Sequence, residues 1–347
     1  MERRMREAID LATGTTSHPN PRVGALVLDT AGEVVGRGVH EGPGFPHAEV
    51  VALAEAGERA KGGTLVVTLE PCDHAGRTPP CTDAILSAGV AGVVIGGLDP
   101  DDRVSGSGAE RLRAAGLKVA TDVAGEAVEA LDPGYFHQRR TGRPRVTLKT
   151  ALTLDGQTAA ADGSSRWITS PEARRDGHLL RAASDAVMVG AGTIRADDPA
   201  LTVRLPGYLG PQPRAVIVAG KRPLPPGAQV WERAPLVFTP DAVDIPAEVV
   251  ALPGASSVDL AAVMQELGKR SVVDLLVEGG ATLAGSLLRA GLIDRGVFYL
   301  AGKLAGGVGL PAMGGSFVGV DAARPITIAS VDRVGPDLRV EFTMEDR

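Results

Sequence analysis

Residues 47–81 read HAEVVALAEAGERAKGGTLVVTLEPCDHAGRTPPC, and the order of elements in this stretch decides the fold class. A helical pattern from His47 to about Arg59 is followed by a short apolar run, Thr64 to Leu69, of the length expected for a buried strand. A second helical pattern from about Pro80 to Ala88 ends at Gly89, a residue type that favours helix termination. A helix, a strand and a helix in succession predict an α/β fold with helices packed on a central sheet.

The same alternation continues on both sides of this stretch. Upstream, Val23 to Leu28 and Glu33 to Val39 flank a turn at Asp29 to Gly32, which predicts a β-hairpin. The other elements predicted for a first domain are strands Gly92 to Ile95 and Leu117 to Ala120, and helices Ala109 to Ala115 and about Gly125 to Phe136. The charged segment HQRRTGRPR, residues 137–145, interrupts the apolar periodicity. We therefore predict two domains, residues 1–142 and 143–347.

A second α/β series follows this boundary. Its predicted strands are Val146 to Leu152, Ala186 to Val189, Ala215 to Ala219, Leu236 to Thr239, Val272 to Val277 and Gly296 to Leu300. Its predicted helices are Pro171 to Ala183, Leu260 to Leu267 and Ala281 to Ala290. Two late runs, Ile326 to Val331 and Leu338 to Thr343, predict a terminal hairpin, and the proline- and glycine-rich stretch Leu205 to Pro213 predicts a surface loop.

Length and composition restrict the function. The chain has 347 residues, enough for two domains, and 44% hydrophobic with 22% charged residues is typical of a globular protein. A formal net charge of −6 argues against a protein that neutralises many nucleic-acid phosphates. No apolar segment has the length of a membrane span, and the first twenty residues lack the apolar core of a signal peptide, so we expect a cytoplasmic protein.

Four residues between positions 47 and 81 form a chemical pattern. A His-x-Glu at His47 and Glu49, followed by Pro-Cys at Cys72 and a second cysteine, Cys81, matches the signature of zinc nucleobase deaminases. One imidazole and two thiolates leave the fourth zinc position to a water, whose pKa falls towards ~7. The free carboxylate of Glu49 then takes the proton from that water and passes it to the departing amine. Pro71 suggests that Cys72 lies in the first turn of a helix.

Simpler interpretations exist for each residue alone. A histidine at a helix start is usually a cap, a glutamate is usually solvated, and two cysteines in a cytosolic protein are often buried and inert or form one small-loop disulfide. A structural zinc site would need a fourth protein ligand, for which His74 is the available side chain. A nucleic-acid base deaminase with an accessory second domain is a further alternative, which the acidic charge balance disfavours.

The motifs of the first domain resemble a known family. HAE at 47–49, TLEPCDHAGRTPPC at 68–81 and HPNPRVG at 18–24 resemble the bifunctional deaminase/reductase family of riboflavin biosynthesis. The resemblance implies a cytidine-deaminase-like three-layer domain in which His47, Cys72 and Cys81 bind zinc and Glu49 shuttles the proton. It also implies that the following residues lie near the substrate: Asn20, His40, His74 and Arg77.

Two glycine-rich turns follow strands in the second domain. VEGGATLAGS at 277–286 ends a strand in paired glycines and enters a helix, which lets N–H groups approach a diphosphate. GAGTIRADDPALTVR at 190–204 also follows a strand, so the polar groups of both turns are expected at one edge of the sheet. Arg181 and Arg204 are candidates to bind a sugar phosphate, because a guanidinium binds phosphate in a bidentate geometry.

These turns, with KTALTLDG at 149–156 and SRWIT at 165–169, resemble the reductase half of the same family, whose fold is dihydrofolate-reductase-like. The resemblance implies NADPH as cofactor. It implies that NADPH is held by Ala151, Trp167, Thr193, Asp197, Gly280, Ala281, Thr282, Leu283, Ala284, Gly285 and Ser286. It implies that the phosphoribosyl substrate is held by Ser165, Arg181, Leu201, Arg204 and Glu278. Asp197 and Glu278 are candidate proton donors, provided that the pKa of the carboxyl is raised.

The expected reactions follow from the resemblance. The first domain removes the ring 2-amino group from a phosphoribosylated diaminopyrimidinone, and the second reduces the ribosyl chain to ribityl with hydride from NADPH. The expected partner is this small molecule, with no nucleic acid and no membrane. A homo-oligomer, either a dimer or a tetramer, is expected.

Overall fold

A computed structural model describes residues 1–15, 17–74, 79–101, 105–252, 257–315 and 317–345. The chain divides into two compact units, Met1–Gly142 and Arg143–Arg347. No helix in the described ranges is both long and apolar enough to cross a bilayer.

The first unit is built on a five-stranded sheet. Its strands are β1 (Gly24–Leu28), β2 (Val34–Val39), β3 (Thr64–Leu69), β4 (Gly92–Gly97) and β5 (Lys118–Ala120). Its helices are α1 (Glu2–Ala12), α2 (Ala48–Ala56), α3 (Cys81–Ala88), α4 (Ser107–Ala114), α5 (Gly125–Leu131) and α6 (Pro133–Thr141). The strand order is β2-β1-β3-β4-β5, with β1 antiparallel to its two neighbours and the other pairs parallel.

Helices cover both faces of this sheet, so the predicted three-layer α/β architecture is confirmed. Residues of α2, α3 and α4 share one hydrophobic core with β1, β3 and β4. Helix α1 packs on the opposite face together with α5. The sequence analysis noted no helix at α1, although Met5, Ala8 and Ala12 have helical spacing and are fully buried.

Two glycines bring α2 close to the sheet. A Cβ atom at Gly36 would lie 2.1 Å from the carbonyl oxygen of Ala52, and one at Gly38 would lie 2.1 Å from that of Ala48. Both distances are too short for any side chain. The backbone of α2 therefore rests directly on β2, which fixes the height of the helix start above the sheet.

The single helix predicted from about Gly125 to Phe136 is wrong. The structure has two helices, α5 and α6, separated at Asp132. Asp132 precedes Pro133, and the proline ring disfavours helical backbone at the residue before it. Asp132 instead accepts a hydrogen bond from the backbone N–H of Tyr135 as the N-cap of α6. Helix α6 then continues through part of the predicted linker and ends at Gly142, whose φ of 73° is left-handed.

The second unit contains a nine-stranded sheet and a two-stranded ribbon. Its strands are β6 (Arg145–Thr153), β7 (Gln157–Ala159), β8 (Ala186–Gly190), β9 (Arg214–Val218), β10 (Leu236–Thr239), β11 (Glu248–Ala251), β12 (Asp274–Val277), β13 (Arg295–Ala301), β14 (Leu310–Pro311), β15 (Ile326–Val334) and β16 (Asp337–Met344). Its helices are α7 (Pro171–Ala182), α8 (Ala191–Asp197), α9 (Leu260–Lys269) and α10 (Ala281–Arg289).

The large sheet has the order β11-β10-β9-β8-β12-β6-β13-β16-β15. The first seven strands of this order are mutually parallel, and the terminal hairpin β15–β16 pairs antiparallel to β13. Separate apolar cores lie on the two faces of the sheet, with α9 and α10 in one and α8 in the other. Because β8 and β12 are parallel neighbours, the turns that follow them lie side by side.

Several short elements in the described part of this unit were not predicted from the sequence, among them β7, β11, β14 and α8. Each has seven residues or fewer, so each offers little periodicity. The predicted loop from Leu205 to Pro213 contains no helix or strand.

Candidate active sites

The structure brings the three predicted zinc ligands of the first unit together. His47 is the N-cap residue of α2, Cys72 follows β3, and Cys81 is the first residue of α3. The Nδ1 atom of His47 lies 3.1 Å from the Sγ of Cys81 and 3.6 Å from the Sγ of Cys72. Zinc–ligand bonds of about 2.1 and 2.3 Å in a tetrahedron separate such atoms by roughly 3.6 to 3.8 Å. The donor set and its spacing therefore fit one zinc ion.

The two thiols differ in acidity, because the hydrogen bond to Cys72 and burial raise the pKa of Cys81. The hydrogen bond from Cys81 lowers the pKa of Cys72 to about 4, and the imidazole of His47 contributes in the same direction. The backbone N–H of Cys81 also points to the Cys72 sulfur, at 3.5 Å. The N-terminus of α3 thus favours the thiolate form of Cys72, whereas the sequence analysis expected this from a helix that begins at Pro71.

The predicted place of Cys72 in a first helical turn is wrong. Residues 70–73 have no helical structure, and the helix begins nine positions later, at Cys81. Pro80 takes the N-cap position of α3 in an extended conformation. The second cysteine, and not the first, therefore lies at the helix N-terminus.

Glu49 lies in the first turn of α2 and is 3% exposed. Burial raises the pKa of its carboxyl, and the neighbouring His47 opposes this. Glu49 is not one of the clustered ligand side chains, and within the described ranges no fourth side chain joins His47, Cys72 and Cys81. His74, the spare ligand of the structural-zinc alternative, is exposed outside that cluster. The arrangement has three ligands and one free buried acid, which fits a catalytic rather than a closed site.

A histidine fixes the amide of Asn20. The Nδ1 atom of His40 lies 3.1 Å from the carbonyl oxygen of Pro46, which can only accept, so Nδ1 carries the proton. The Nε2 atom of His40 is then an acceptor and binds the Nδ2 of Asn20 at 2.9 Å. Burial lowers the pKa of His40, in keeping with this neutral ring. The carbonyl oxygen of Asn20 is thereby left available as an acceptor.

These side chains line a cavity of about 300 Å³. His47, Cys72 and Glu49 lie in its wall together with the predicted substrate contacts Asn20, His40 and His74. Its wall also contains polar residues that the sequence analysis did not identify: Asp99, Asp101, Tyr135 and Arg139. Burial raises the pKa of Asp99 to about 6, and the Tyr135 hydroxyl donates to its carboxylate at 3.1 Å. Arg77, the remaining predicted contact, lies outside the described residues.

Glu70, another residue that the sequence analysis did not assign, holds the cysteine loop in place. Its buried carboxylate accepts hydrogen bonds from the backbone N–H groups of Asp99, Gly106 and Ala109. Gly106 and Ala109 belong to the start of α4, so Glu70 ties the end of β3 to that helix. In the sequence, this role of Glu70 is indicated by its position directly before Pro71 and Cys72.

In the second unit, the two glycine-rich turns meet at one edge of the sheet. A Cβ atom at Gly280 would lie 3.7 Å from the Thr193 hydroxyl, so any larger side chain would fill the gap between the turns. Gly280 is the N-cap residue of α10, and the first N–H groups of that helix have no intrahelical partner. The gap and these donors fit the diphosphate of a dinucleotide.

The other residues predicted to bind NADPH differ in how accessible their side chains are. Ala281 and Thr282 are accessible in the first turn of α10, and Ser286 is half-buried one turn later. The side chains of Leu283 and Ala284 are buried in the core, and Gly285 backs onto the carbonyl oxygen of Gly314. Ala151 is half-buried on β6, and Asp197 is exposed at the end of α8. Trp167 is 63% exposed, with the Arg174 guanidinium 4.3 Å from its ring.

Arg181 and Glu278 form a partly buried, bidentate ion pair, with side chains 12% and 14% exposed. The Nε and Nη2 atoms of Arg181 donate to the two carboxylate oxygens of Glu278 at 2.6 and 2.8 Å, and Nη1 donates to the carbonyl oxygen of Thr202 at 2.7 Å. Burial alone would raise the pKa of Glu278, but Arg181 and Lys149 outweigh it and lower the pKa to about 2. Glu278 is therefore ionised at neutral pH and does not serve as the proton donor.

Positive charge accumulates around this pair. Burial, together with the positive charges of Arg181 and Arg204, lowers the pKa of His178 to about 4. The charge of Lys149 lowers the pKa of His178 in the same direction. His178 is thus neutral, and Glu278 pairs with Arg181. In the described part of the chain neither Lys149 nor Arg204 forms an ion pair of its own, although Glu278 attracts both. Ser165 is half-buried, and Leu201 is buried with a left-handed φ of 51°. Lys149 and His178 belong to this cluster but were not among the predicted site residues.

The chain is similar to known families and proteins over nearly its whole length. Residues 1–97 match the cytidine and deoxycytidylate deaminase zinc-binding region, and residues 144–340 match the RibD C-terminal domain. The riboflavin biosynthesis protein RibD of Escherichia coli (strain K12) is 41% identical over 343 residues, 93% of each chain. That of Mycobacterium tuberculosis (strain CDC 1551 / Oshkosh) is 45% identical over 332 residues, 93% of this chain and 91% of the relative.

Two solved structures are similar to the chain over nearly its whole length. Form 1 of Acinetobacter baumannii RibD superposes with a TM-score of 0.91 at 35% identity, covering 99% of both chains. A protein of Thermotoga maritima superposes with a TM-score of 0.87 at 35% identity, covering 99% of this chain and 98% of that one. It is described as a diaminohydroxyphosphoribosylaminopyrimidine deaminase and 5-amino-6-(5-phosphoribosylamino)uracil reductase.

Proposed function

The chain belongs to the RibD family of riboflavin-biosynthesis proteins, and from this membership we propose which residues carry out its two reactions and on which substrate. It is a bifunctional enzyme, a zinc-dependent deaminase and an NADPH-dependent reductase. We propose that the first unit deaminates the diaminopyrimidinone that carries a phosphoribosylamino group, and that the second unit reduces the ribosyl chain of the product. The printed activities of the Thermotoga maritima relative support this substrate.

One observation supports the deaminase assignment most strongly. His47, Cys72 and Cys81 converge within ligand distance of one another, and the buried carboxyl of Glu49 lies beside them without joining them. A closed structural site would use a fourth protein ligand. Three ligands and a separate acid in the wall of a 300 Å³ cavity leave room for a substrate ring.

Each residue of the first site then has a task. When bound, zinc lowers the pKa of a coordinated water and supplies a nucleophile at neutral pH. Glu49 receives the proton on its carboxylate and delivers it to the nitrogen of the leaving amine. Asn20, oriented by His40, offers its carbonyl oxygen to an N–H group of the pyrimidine. His74 and Arg77 remain predicted substrate contacts.

The second site is proposed to hold both reactants at the edge of the large sheet. NADPH supplies the hydride when bound. The turn of Gly280 and the first N–H groups of α10 would receive its diphosphate, with Thr193, Asp197, Trp167 and Ala151 around it. The positive charges of Lys149 and Arg204 match the double negative charge of a phosphate monoester. Arg181 would act mainly by holding Glu278 in position, and Ser165 and Leu201 remain predicted substrate contacts.

We also propose a cytoplasmic location and a homo-oligomeric state, either dimer or tetramer. Both cysteines are free thiols in the structure, and thiolate metal ligands suit a reducing compartment. The family resemblance supports the oligomer. Ultracentrifugation of the purified chain would distinguish monomer, dimer and tetramer.

The deaminase assignment is tested by the substitution Glu49→Gln. The amide keeps the size of the side chain but cannot take the proton, so deamination should fall by about 10²–10⁴-fold. Zinc content per chain and the rate of NADPH oxidation with the deaminated substrate should stay as in the wild type. Cys72→Ser serves as the contrasting variant, because it should lose both zinc and deamination. Undiminished deamination by the Glu49→Gln variant would overturn the proposal.

A further inference from the structure

Residues 200–204, here called the strap, have no regular secondary structure, yet side chains bind their backbone groups one after another. Arg233 donates from Nη1 to the carbonyl oxygens of Ala200 and Leu201, at 3.4 and 2.9 Å. Gln212 binds both backbone groups of Val203, at 2.7 and 3.3 Å. The strap is therefore held by side chains where a strand would be held by a backbone ladder.

The middle and the end of the strap are fixed to α7, and its start is fixed to the segment before β9. Arg181 of α7 donates to the Thr202 carbonyl oxygen. The backbone N–H of Arg204 donates to Nδ1 of His178, also on α7, at 3.3 Å, which requires the neutral ring described above. Arg233 reaches beyond the strap to the carbonyl oxygen of Pro213, at 2.6 Å, directly before β9. One guanidinium thus connects the start of the strap to the central sheet.

Arg233 acts at the one unusual backbone conformation of the strap. Leu201 has a φ of 51°, a left-handed conformation that a branched side chain rarely adopts, and its side chain is 1% exposed in the core. The left-handed residue turns the chain, and Arg233 binds the carbonyl oxygens on both sides of that turn. The direction in which the strap leaves Leu201 decides where Arg204 lies.

We propose that Arg233 is a positioning residue of the reductase site: it holds the turn at Leu201 so that the exposed Arg204 meets the phosphate of the substrate. This inference rests on the proposed reductase function. Arg233 itself donates to three backbone carbonyls, so its effect on the substrate is transmitted through the strap. Its loss should weaken phosphate binding and leave the hydride step intact.

The test compares Arg233→Met with the wild type on the deaminated substrate with and without its phosphate. With the phosphorylated substrate, we expect KM to rise about tenfold or more while kcat changes less than about threefold, the pattern of lost ground-state binding. With the dephosphorylated substrate, measured at excess enzyme, variant and wild type should have equal kcat/KM. The KM for NADPH should not change. Arg270→Met is the control, because Arg270 is a guanidinium of the same unit that binds Glu248 and the carbonyl oxygen of Glu266, at the end of α9 and outside both glycine-rich turns.

The possible results distinguish the positioning role of Arg233 from the reductase function on which it rests. An equal loss with both substrates, a change confined to kcat, or no change at all would overturn the positioning role. If Arg233→Met does not fold, the same comparison is made with Arg233→Lys, whose ammonium retains part of the carbonyl binding and should give a smaller rise in KM. A wild-type protein that reduces neither substrate would overturn the reductase function itself, and the inference with it.

Discussion

Two glutamates show how environment decides the role of one residue type. Burial raises the pKa of the Glu49 carboxyl, with the ring of His47 opposing this, so Glu49 can take up a proton and pass it on. Glu278 faces Arg181 and Lys149, which hold it ionised. The sequence predicts the role of Glu49 because a fixed spacing to His47 and the cysteines accompanies it. It does not predict the pairing of Glu278 with Arg181, since the two residues lie on separate elements and only the folded sheet brings them together.

The ion pair of Glu278 and Arg181 predicts a pH-dependent stability. The pKa of Glu278 lies at about 2 in the folded protein, below its ordinary value of 4.5. The charge therefore stabilises the fold above pH 4.5, and this contribution is lost as the pH falls towards 2. Glu278→Gln leaves Arg181 buried without its partner and should lower the free energy of unfolding at pH 7 by about 3–5 kcal/mol.

The measurement is denaturant unfolding followed by tryptophan fluorescence, since both tryptophans, Trp167 and Trp231, belong to the second unit. The difference between wild type and Glu278→Gln should narrow between pH 6 and pH 3. Glu248→Gln removes the exposed ion pairs of Glu248 with Arg214 and Arg270 and should cost less than about 1 kcal/mol. A difference that stays constant down to pH 3 would contradict the account.

The positions at which the helices begin, and how closely they pack on the sheet, determine where the residues of the deaminase site lie. The sequence predicts the strands β3 and β4 and the helices α2 and α3 well, because long apolar runs and helical spacing mark them. It fails at Cys72, where Pro71 suggests a helix that starts only at Cys81, and at Asp132, where a proline divides one predicted helix. In both places the local signal permits two structures and tertiary packing selects one. The structure of the strap, residues 200–204, could not be predicted from the sequence, because hydrogen bonds from side chains at distant positions fix its backbone.

The packing of α2 on β2 predicts the effect of Gly38→Ala. The added Cβ would meet the Ala48 carbonyl oxygen at 2.1 Å, so the start of α2 must move away from the sheet. That movement displaces His47 and Glu49 together. Deamination should fall by at least about 10²-fold, because a misplacement of about 1 Å costs that much.

Zinc content and both activities are the measurements for this variant. Zinc per chain should fall together with deamination, and reduction of the deaminated substrate should persist. Gly220→Ala is the control, because a Cβ there meets nothing within 4 Å and both activities should be unchanged. Deamination at the wild-type rate by the Gly38→Ala variant would show that the distance of α2 from the sheet does not determine the positions of His47 and Glu49.

At the scale of the whole molecule, each of the two units contains one complete set of chemical groups. The deaminase ligands, the acid and the cavity all belong to Met1–Gly142, and the paired-glycine turn, the ion pair and the cationic cluster all belong to Arg143–Arg347. Sequence motifs predict this organisation because both sets of motifs are local in the chain. The supporting residues Glu70, Lys149, His178 and Arg233 escape sequence analysis, since each acts on a segment distant in sequence.

The most direct test of the two-unit account is mass spectrometry of the phosphoribosylated diaminopyrimidinone after incubation with the zinc-loaded chain, with and without NADPH. Without NADPH, the substrate should exchange one amino group for oxygen and release ammonia, and the product should react no further. With NADPH, the same product should gain two hydrogens, and one NADPH should be oxidised for each molecule reduced. Reduction without prior deamination, or an unchanged substrate in the absence of NADPH, would contradict the account.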